Sequence, residues 1–315
     1  MERAGNGLMR VIEVAEFGGP EVLRPAERPD PSAGPGEVVV SIDYAAVNPS
    51  DLGARSGATH KRVPDLPLPF VPGWDLAGTV LAVAPDVERF RPGDKVLGMI
   101  PWVPIRARVG AYAEAAAVRA EWLAPAPAGL DTARAAALPL GGLTAAGALG
   151  LLRAEPGATM LVTGASGSVG SVAVQLAAQA GVRVLALASR GDEEWVASLG
   201  AEVLPRGTDL AVIEPVDYVF DAVPLGPASA ARLRPGGLAV FTRPPGSPAP
   251  DGVRFETVFA EPDGTVLAGL AVDAAAGRLR IRVAEIVALG AAARAHQIAE
   301  RGGYRGKLLL AAGPG

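Results

Sequence analysis

The hydrophobic positions of the chain change their pattern near Pro125. Before this residue, short apolar or alternating runs are separated by turns rich in proline and glycine, a pattern that is typical of β-strands. The strands predicted in this part are 9–16, 22–24, 37–46, 73–84 and 95–99. Many short strands joined by such turns indicate a small, partly open β-barrel.

After Pro125, predicted helices and strands alternate along the chain. Short apolar runs rich in β-formers predict buried strands, and longer apolar segments predict helices that pack against a sheet. The predicted order is helix 131–136, helix 143–152, strand 159–163, helix 169–180, strand 182–188, helix 192–199, and then strands 202–204, 216–221 and 237–242. This alternation is typical of an α/β protein with a doubly wound parallel sheet.

The last part of the chain mixes the two patterns. It is predicted to contain helix 263–277, strand 279–283, helix 291–301 and strand 306–310. We therefore expect a discontinuous first domain formed by 1–124 and 263–315, with a second domain at 125–262 inserted between its two segments.

Three glycines with three-residue spacing follow the strand predicted at 159–163. With no side chains at this turn, a phosphate can approach the backbone N–H groups, and the N-terminus of the following helix favours an anion. The spacing within a βαβ unit therefore predicts dinucleotide binding, although a Gly- and Ala-rich packing turn without a ligand fits the same residues. The candidate cofactor-binding residues of this loop are Gly164, Ala165, Gly167, Ser168, Val169 and Gly170.

The end of the second strand indicates which dinucleotide would bind. Folds that prefer NAD usually place an acidic residue there to hold the ribose hydroxyls, whereas this strand is followed by Ser189 and Arg190. A hydroxyl and a guanidinium suit a 2′-phosphate, and Arg206 after the next strand is a candidate for its other side. We therefore predict NADPH rather than NADH; the alternative is that both arginines are solvated surface charges. The candidate set is completed at the ends of the following strands by Ala222, Val223, Phe241 and Thr242.

The composition excludes several other kinds of chemistry. The 315 residues are 50% hydrophobic and 20% charged, and the formal net charge is −4 with scattered arginines and lysines, which argues against nucleic-acid binding. The absence of cysteine rules out disulfides, thiolate–zinc sites and a cysteine nucleophile. Of the two histidines, His60 is predicted to lie on a loop surface and His296 in a helix, and we expect no metal site.

One uncharged segment, 135–152, raises the question of a membrane span. Pro139, the nearby glycines and Thr144 weaken it as a span, and the rest of the chain has a globular pattern, so we predict a buried helix and no membrane association. Residues 1–8 lack the basic-then-apolar pattern of a signal peptide and are predicted to be a flexible leader. We expect a cytoplasmic protein.

Eight short segments occur in a fixed order along nearly the whole chain. They are 45–51, 71–80, 91–98, 137–145, the glycine loop, 216–222, 233–237 and 304–310. Taken together, they resemble the medium-chain dehydrogenase/reductase superfamily, in its zinc-free quinone oxidoreductase branch. The resemblance implies a Rossmann dinucleotide-binding domain and a GroES-like catalytic domain with a partly open β-barrel.

The resemblance also implies catalytic residues. Asn48 and Thr144 are expected to contact the nicotinamide and to fix which face of the ring meets the substrate, and Asp51 follows the family pattern. Each has an ordinary structural alternative, namely a helix N-cap for Asn48, a plain helix residue for Thr144 and a first-turn carboxylate for Asp51. Zinc-containing relatives carry Gly-His-Glu where this chain has tryptophan and aspartate at 74–75, so we expect chemistry without zinc.

These inferences favour an NADPH-dependent oxidoreductase that acts on a small electrophilic molecule. A hydride would pass from the nicotinamide to a quinone or to an activated carbonyl or alkene, while the protein supplies orientation and excludes water. An enoyl or alkenal double-bond reductase is one alternative. A second is an NADPH-binding regulator without turnover, because two tyrosines common in the family are replaced at Gly53 and near Thr59. Family members often dimerise through sheet edges, so we expect a homodimer, with the strand predicted at 254–260 as the candidate edge.

Overall fold

The computed structural model describes residues 7–312, and contacts divide this part of the chain into two units. The first unit runs to residue 140 and resumes at 262–276 and after 281, and the second comprises 141–261 and 277–281. The domain limits inferred from the sequence stay a prediction. The division by contacts falls after residue 140, about fifteen residues later than Pro125. Residues 1–6 of the predicted leader lie outside the described residues.

The chain begins with short strands, as the proline and glycine turns indicate. Strand β1 spans Leu8–Val14 and pairs with β2, Leu23–Pro29, in an antiparallel hairpin. The following elements are β3 (Glu37–Ala46), α1 (Pro49–Arg55), β4 (Asp75–Val83), β5 (Lys95–Met99), β6 (Ala115–Arg119), β7 (Leu123–Pro125), α2 (Thr132–Ala137) and α3 (Pro139–Leu152).

The second unit contains a six-stranded sheet in which every pair is parallel. Its elements are β8 (Thr159–Thr163), α4 (Ser168–Gln179), β9 (Arg183–Ala188), α5 (Glu193–Ala197), β10 (Ala201–Pro205), β11 (Val216–Asp221), β12 (Leu233–Phe241) and β13 (Arg254–Thr257). The strand order is β10-β9-β8-β11-β12-β13, so the order reverses between β8 and β11. Ligands of such sheets bind at the carboxyl ends of the strands beside this reversal. The predicted doubly wound parallel sheet is confirmed.

The chain then returns to the first unit with α6 (Gly264–Ala275), β14 (Val283–Ala288), α7 (Ala292–Arg301) and β15 (Lys307–Ala311). These late strands join a seven-stranded sheet of order β14-β15-β3-β4-β5-β7, in which β6 also pairs with β3. All its pairs are antiparallel except β14 with β15. In the described residues the sheet ends at β14 and β7 without pairing them, so no closed barrel is formed.

One predicted strand is wrong. The segment 279–283, in which apolar residues alternate with arginines, is not a strand, and the nearby strand is β14, which begins only at Val283. The reason is a side chain: the amide of Gln175 accepts from the backbone N–H of Arg280 at 2.7 Å and donates to its carbonyl at 3.1 Å. The backbone of Arg280 is therefore satisfied by α4, and contact with β15 begins only at Arg282, whose carbonyl accepts the backbone N–H of Lys307 at 2.8 Å. The sequence pattern also did not predict β6 and β7. Strand β6 is rich in alanine and β7 has only three residues, so neither carries a clear strand signal.

The uncharged segment 135–152 contains the end of α2 and the whole of α3; the two helices are separated at Leu138, and α3 begins at Pro139. Among the described residues, no helix combines the length and the apolar character that crossing a membrane requires.

Candidate functional site

The glycine loop lies at the carboxyl end of β8, beside the reversal of strand order. Gly164 leaves the strand with φ +62°, a left-handed conformation that glycine adopts readily, and Gly167 is the N-cap of α4. The backbone N–H of Gly167 donates to the Gly164 carbonyl at 2.9 Å, which closes the turn. The backbone N–H of Ala165 donates to the Leu187 carbonyl at 3.2 Å, so the loop is tied to β9. The turn therefore aims the N-terminus of a twelve-residue helix at the switch point of the sheet.

The last two glycines of the loop have different roles. A Cβ on Gly170 would lie 2.3 Å from the Gly164 carbonyl oxygen and 3.0 Å from the Ala165 Cα, so this glycine is required for close packing of helix against turn. A Cβ on Gly167 would meet only the Gly164 oxygen, at 3.3 Å, and Gly167 is exposed. Gly167 is thus the position at which the backbone is open to a ligand.

Thr163 and Asp221 fix the neighbouring strand ends, a role that the sequence did not reveal. Thr163 Oγ1 donates to Asp221 Oδ1 at 2.5 Å, and the backbone N–H of Gly226 donates to Asp221 Oδ2 at 2.8 Å. Burial raises the pKa of the Asp221 carboxyl above its usual range, although these bonds oppose the shift. The aspartate therefore shapes both loops that flank the reversal point. The sequence signal that could have revealed this role is that Thr163 and Asp221 are polar residues at the ends of two buried strands.

The predicted 2′-phosphate residues lie at neighbouring strand ends. Pro205 pairs with Ala188 in the parallel register, and the backbone N–H of Arg206 donates to the Ala188 carbonyl at 2.9 Å. Arg206 therefore stands beside Ser189, whose own N–H donates to Ser166 Oγ at 2.9 Å. Arg190 and Arg206 are both exposed, and the structure places their backbones at the same edge as the glycine loop.

The other cofactor candidates of the second unit divide into exposed and buried residues. Val223 is partly exposed, with its Cγ1 next to Gly164, and Ala222 precedes it at the end of β11. Thr242 uses its hydroxyl to donate to the Asp221 carbonyl at 3.2 Å. The Phe241 side chain is buried in the core, with its ring centroid 5.0 Å from that of Phe255, so only its backbone is available to a ligand. Thr144 is buried in α3.

In the first unit, Asn48 occupies the N-cap position of α1, but its side chain points elsewhere. Its Nδ2 donates to Asp75 Oδ2 at 3.0 Å and to the Ala46 carbonyl at 3.3 Å, and its Oδ1 accepts from the Lys307 ammonium. Asp75 Oδ1 accepts the backbone N–H of Leu140 at 2.8 Å, and Lys307 Nζ lies 3.5 Å from Asp75 Oδ2. All three side chains are buried, so they form one satisfied polar network inside the unit.

Asp51 forms a second buried network with residues that the sequence analysis left aside. Its carboxylate accepts the backbone N–H of Asn48 at 2.9 Å and that of Gly73 at 3.0 Å, which joins the start of α1 to the segment before β4. The Tyr112 hydroxyl lies 3.5 Å from Asp51 Oδ2 and 3.0 Å from His296 Nε2. His296 therefore lies in a helix, as predicted. Its side chain is fully buried and is hydrogen-bonded to Tyr112, which the sequence did not indicate.

Burial sets the protonation of this network. Desolvation raises the pKa of Asp51 to about 7, helped by the charge of Asp75 and opposed by the two backbone bonds. Desolvation lowers the pKa of His296 to about 3, and the Arg55 charge acts in the same direction, so the imidazole is neutral at physiological pH. Burial likewise raises the pKa of Asp75, against the attraction of Lys307. With a pKa of about 7, Asp51 changes protonation near neutrality.

Several aromatic side chains of this unit pack against one another. Trp102 stacks on Phe70 with ring centroids 4.9 Å apart, and Trp74 packs against Trp102 at 6.5 Å. His60 lies in a turn, and its partly exposed ring packs against Phe17 with ring centroids 5.0 Å apart. Among the described residues, no group of three histidine or acidic side chains is arranged to hold a metal ion.

Two family models match the chain. The alcohol dehydrogenase GroES-like domain matches residues 34–128, and the zinc-binding dehydrogenase domain matches residues 199–310. The first match covers most of the strand-rich part of the first unit. The second extends from β10 of the parallel sheet to β15.

Curated relatives match over part of their length. Acrylyl-CoA reductase AcuI of Ruegeria pomeroyi is 41% identical over 174 residues, which are 53% of this chain and 50% of the relative. The NADPH-dependent alkenal/one oxidoreductase of Arabidopsis thaliana is 33% identical over 257 residues, 78% of this chain and 65% of the relative. The chain therefore spans about half to two thirds of the length of these proteins.

A solved structure matches over its whole length. The quinone oxidoreductase from Coxiella burnetii superposes with a TM-score of 0.86 at 28% sequence identity, covering 96% of this chain and 99% of that one. The strand order of the parallel sheet, the position of the glycine loop and the two family models agree with this likeness. The chain belongs to the medium-chain dehydrogenase/reductase superfamily, in its quinone oxidoreductase-like branch.

Proposed function

We propose that the protein is a zinc-independent, NADPH-dependent oxidoreductase that delivers a hydride from the nicotinamide to a quinone or to an activated carbonyl or alkene. The observation that carries this proposal is the glycine loop at the switch point of the parallel sheet. There, exposed Gly167 caps α4 and leaves room for a phosphate at the helix N-terminus. The cofactor loop belongs to the second unit, and the buried Asn48 and Asp51 networks belong to the first.

The residues present suit a dinucleotide. The backbone of Gly167, Ser168 and Val169 at the start of α4 would bind the pyrophosphate, and Ser189 with the two arginines would bind the 2′-phosphate. When bound, the nicotinamide supplies the hydride chemistry. Asn48 and Thr144 stay predicted contacts of the nicotinamide ring, and Asp51 stays a catalytic candidate on the family pattern.

The Asp75 network supports activity without zinc. Both oxygens of Asp75 already accept hydrogen bonds, from Leu140 and Asn48, and the buried Lys307 ammonium supplies a positive charge 3.5 Å away. A metal ion bound to the Asp75 oxygens would be repelled by the positive charge of Lys307, and this repulsion is strong in a low-dielectric interior. The hydrogen bonds that already occupy the Asp75 oxygens therefore support the proposal of chemistry without zinc.

The choice of substrate is tested by a panel of quinones, enones and enoyl thioesters, assayed by NADPH oxidation after dialysis against EDTA. We expect turnover with at least one electron-poor acceptor and no gain on adding zinc. The reductase names of the Ruegeria and Arabidopsis relatives favour the alkene as the second candidate. NADPH binding without turnover of any acceptor would support the regulator, and turnover that depends on added zinc would contradict the proposal.

Arg190→Ala is expected to weaken NADPH binding about tenfold or more and to leave NADH binding nearly unchanged. The guanidinium would form charge-assisted hydrogen bonds with the 2′-phosphate, worth about 1.5–3 kcal/mol. Fluorescence titration with both cofactors measures the effect. Arg91→Ala, which removes an exposed arginine in the first unit, is the control. Equal losses for the two cofactors, or a native preference for NADH, would contradict the assignment of Arg190.

Oligomeric state and location follow from the family only as expectations. Strand β13 is the outer strand of the parallel sheet, and Phe259 just beyond it is 73% exposed. An unpaired edge with an apolar side chain is a suitable dimer contact, so we expect a homodimer of a cytoplasmic protein.

A further inference from the structure

We propose that a cavity in the first unit is a binding site for a small carboxylate with an apolar body, a site that does not rest on the proposed function. The cavity has a volume of about 460 Å³, which is within the range of small-molecule sites. It is bordered by the hairpin of β1 and β2, by β6 and by the segments around residues 69 and 109. Its apolar lining residues include Met9, Pro29, Pro31, Pro69, Val109 and Ala117.

The cavity is separate from the glycine loop and from the buried networks. None of its described lining residues belongs to either, and all of them lie in the first unit. Ala116 and Ala117 of β6 line it, and they pair with Val40 and Val39 in the first half of β3. Asn48 follows the other end of that strand. Binding in this cavity therefore involves the first unit alone.

Backbone hydrogen bonds join the segments that carry the cavity wall. The N–H of Val71 donates to the Arg108 carbonyl, and the N–H of Gly110 donates to the Val71 carbonyl, each at 2.8 Å. Strands β1 and β2 are paired along their whole length, and β6 is paired with β3. A ligand would therefore enter a cavity that is already formed, which lowers the ordering cost of binding.

Two arginines, Arg28 and Arg108, also line the cavity, and their charges are not equally available. Arg28 donates to the Glu13 carboxylate, which balances its charge. Arg108 Nη1 contacts only backbone carbonyls, those of Leu68 at 3.4 Å and Pro69 at 3.5 Å. Within the described part of the chain, no carboxylate pairs with Arg108 and no acidic side chain lines the cavity. The cavity therefore combines apolar walls with one unbalanced positive charge.

The Arg108 guanidinium keeps one edge free for a ligand. The two carbonyl contacts use only Nη1, so the hydrogens of Nε and Nη2 remain. These two N–H groups point in the same direction and match the two oxygens of a carboxylate as a bidentate pair. The proline, valine and methionine side chains of the wall have no N–H or O–H group and suit a hydrocarbon body. The ligand class that fits both parts is a small aliphatic or aromatic carboxylate.

NMR titration of the full-length protein with 3-phenylpropanoate, in the absence of NADPH, tests the site. We expect saturable binding with a dissociation constant of about 1 mM or lower. 3-Phenylpropan-1-ol keeps the apolar body without the charge and should bind at least about tenfold more weakly. Acetate keeps the charge without the body and should also bind at least about tenfold more weakly. Absence of saturable 3-phenylpropanoate binding, or equal affinities for the acid and the alcohol, would overturn the proposal.

Two substitutions locate the bound carboxylate. Arg108→Met removes the charge of an exposed side chain, so it should weaken 3-phenylpropanoate about tenfold and change 3-phenylpropan-1-ol less than about twofold. Ala117→Leu fills the apolar part and should weaken both compounds. Urea unfolding of each variant shows that the fold is retained.

Arg106→Met is the matched control. Arg106 is an exposed arginine of the same segment, but it pairs with Asp65 and does not line the cavity. This variant should therefore keep its affinity for 3-phenylpropanoate within about twofold. Equal losses in Arg106→Met and Arg108→Met would show attraction by the general positive charge of the segment and would overturn the assignment of a carboxylate site to Arg108.

Discussion

Gly167→Val should reduce NADPH affinity by at least about 100-fold, roughly 3 kcal/mol, and should change the free energy of unfolding little. Gly167 lies in extended backbone at the N-cap of α4, a conformation that valine adopts. The chain offers no close neighbour to its Cβ apart from the Gly164 oxygen at 3.3 Å. The added methyl groups would instead occupy the space that a pyrophosphate needs.

Gly170→Val should behave differently, because its Cβ would lie 2.3 Å from the Gly164 carbonyl oxygen. The helix would have to move away from the turn, and overpacking of this kind costs about 1–3 kcal/mol or more. We therefore expect a lowered midpoint of urea unfolding together with lost binding. The sequence alone predicts the same outcome for both glycines, namely lost binding with an intact fold, and the structure corrects this for Gly170.

Fluorescence titration with NADPH and urea unfolding, each on both variants, check these results. Gly150→Val is the matched control, since Gly150 is an exposed glycine of α3 with open space around its Cβ. Unchanged NADPH affinity in Gly167→Val would show that the loop is only a packing turn. A fully stable Gly170→Val would contradict the packing role assigned to that glycine.

The parallel sheet could be predicted because the sequence patterns that indicate its strands and its glycine loop lie close together in the chain. Strands β8, β9, β11 and β12 each contain a short apolar run, and the glycines, the start of α4 and the residues after β9 follow in sequence within about thirty positions. The right-handed connection rule then brings their ends to one edge. The alanine-rich β6 and the strand wrongly placed at 279–283 show where this fails. In both segments, the hydrogen-bond partner of the backbone lies far away in the sequence, so the local pattern does not predict it.

The buried networks could not be predicted for the same physical reason. Tyr112 and His296 are 184 positions apart, and a lone histidine in an amphipathic helix gives no sign that its ring meets a tyrosine. Asn48 was predicted to be either an N-cap or a ligand residue. It occupies the N-cap position through its backbone, while its side chain belongs to the Lys307 and Asp75 network. Both alternatives are compatible with that geometry.

Asp51→Asn should strongly change how the stability of the protein depends on pH. The pKa of Asp51 is raised from its ordinary 3.8 to about 7, so between these values the folded protein binds a proton that the unfolded chain does not. Its contribution to stability is complete below pH 4 and is lost as the pH rises through 7. The change is about 4 kcal/mol, at 1.36 kcal/mol for each pKa unit.

His296 has the opposite slope. Its pKa is lowered from 6.5 to about 3, so the unfolded chain binds the extra proton and stability rises with pH over this range. In the wild-type protein the two contributions largely offset each other between pH 4 and 6.5. Removing the carboxyl of Asp51 would expose the slope of His296, and the unfolding free energy of Asp51→Asn should therefore climb steeply from pH 4 to 6.5.

Urea unfolding at pH 4.5, 5.5, 6.5 and 7.5 measures this effect. Asp51→Asn also removes an acceptor for the backbone N–H of Asn48 or Gly73, which lowers stability by a nearly constant amount. The informative quantity is therefore the unfolding free energy of the variant minus that of the wild type, followed as a function of pH. This difference should increase by about 4 kcal/mol between pH 4 and 7.5. Asp65→Asn is the control, because the Asp65 carboxyl is exposed and Arg106 lowers its pKa, so its titration falls below this window. A difference that stays constant with pH would show that Asp51 is ionised throughout, held by its two backbone bonds and not dominated by its burial.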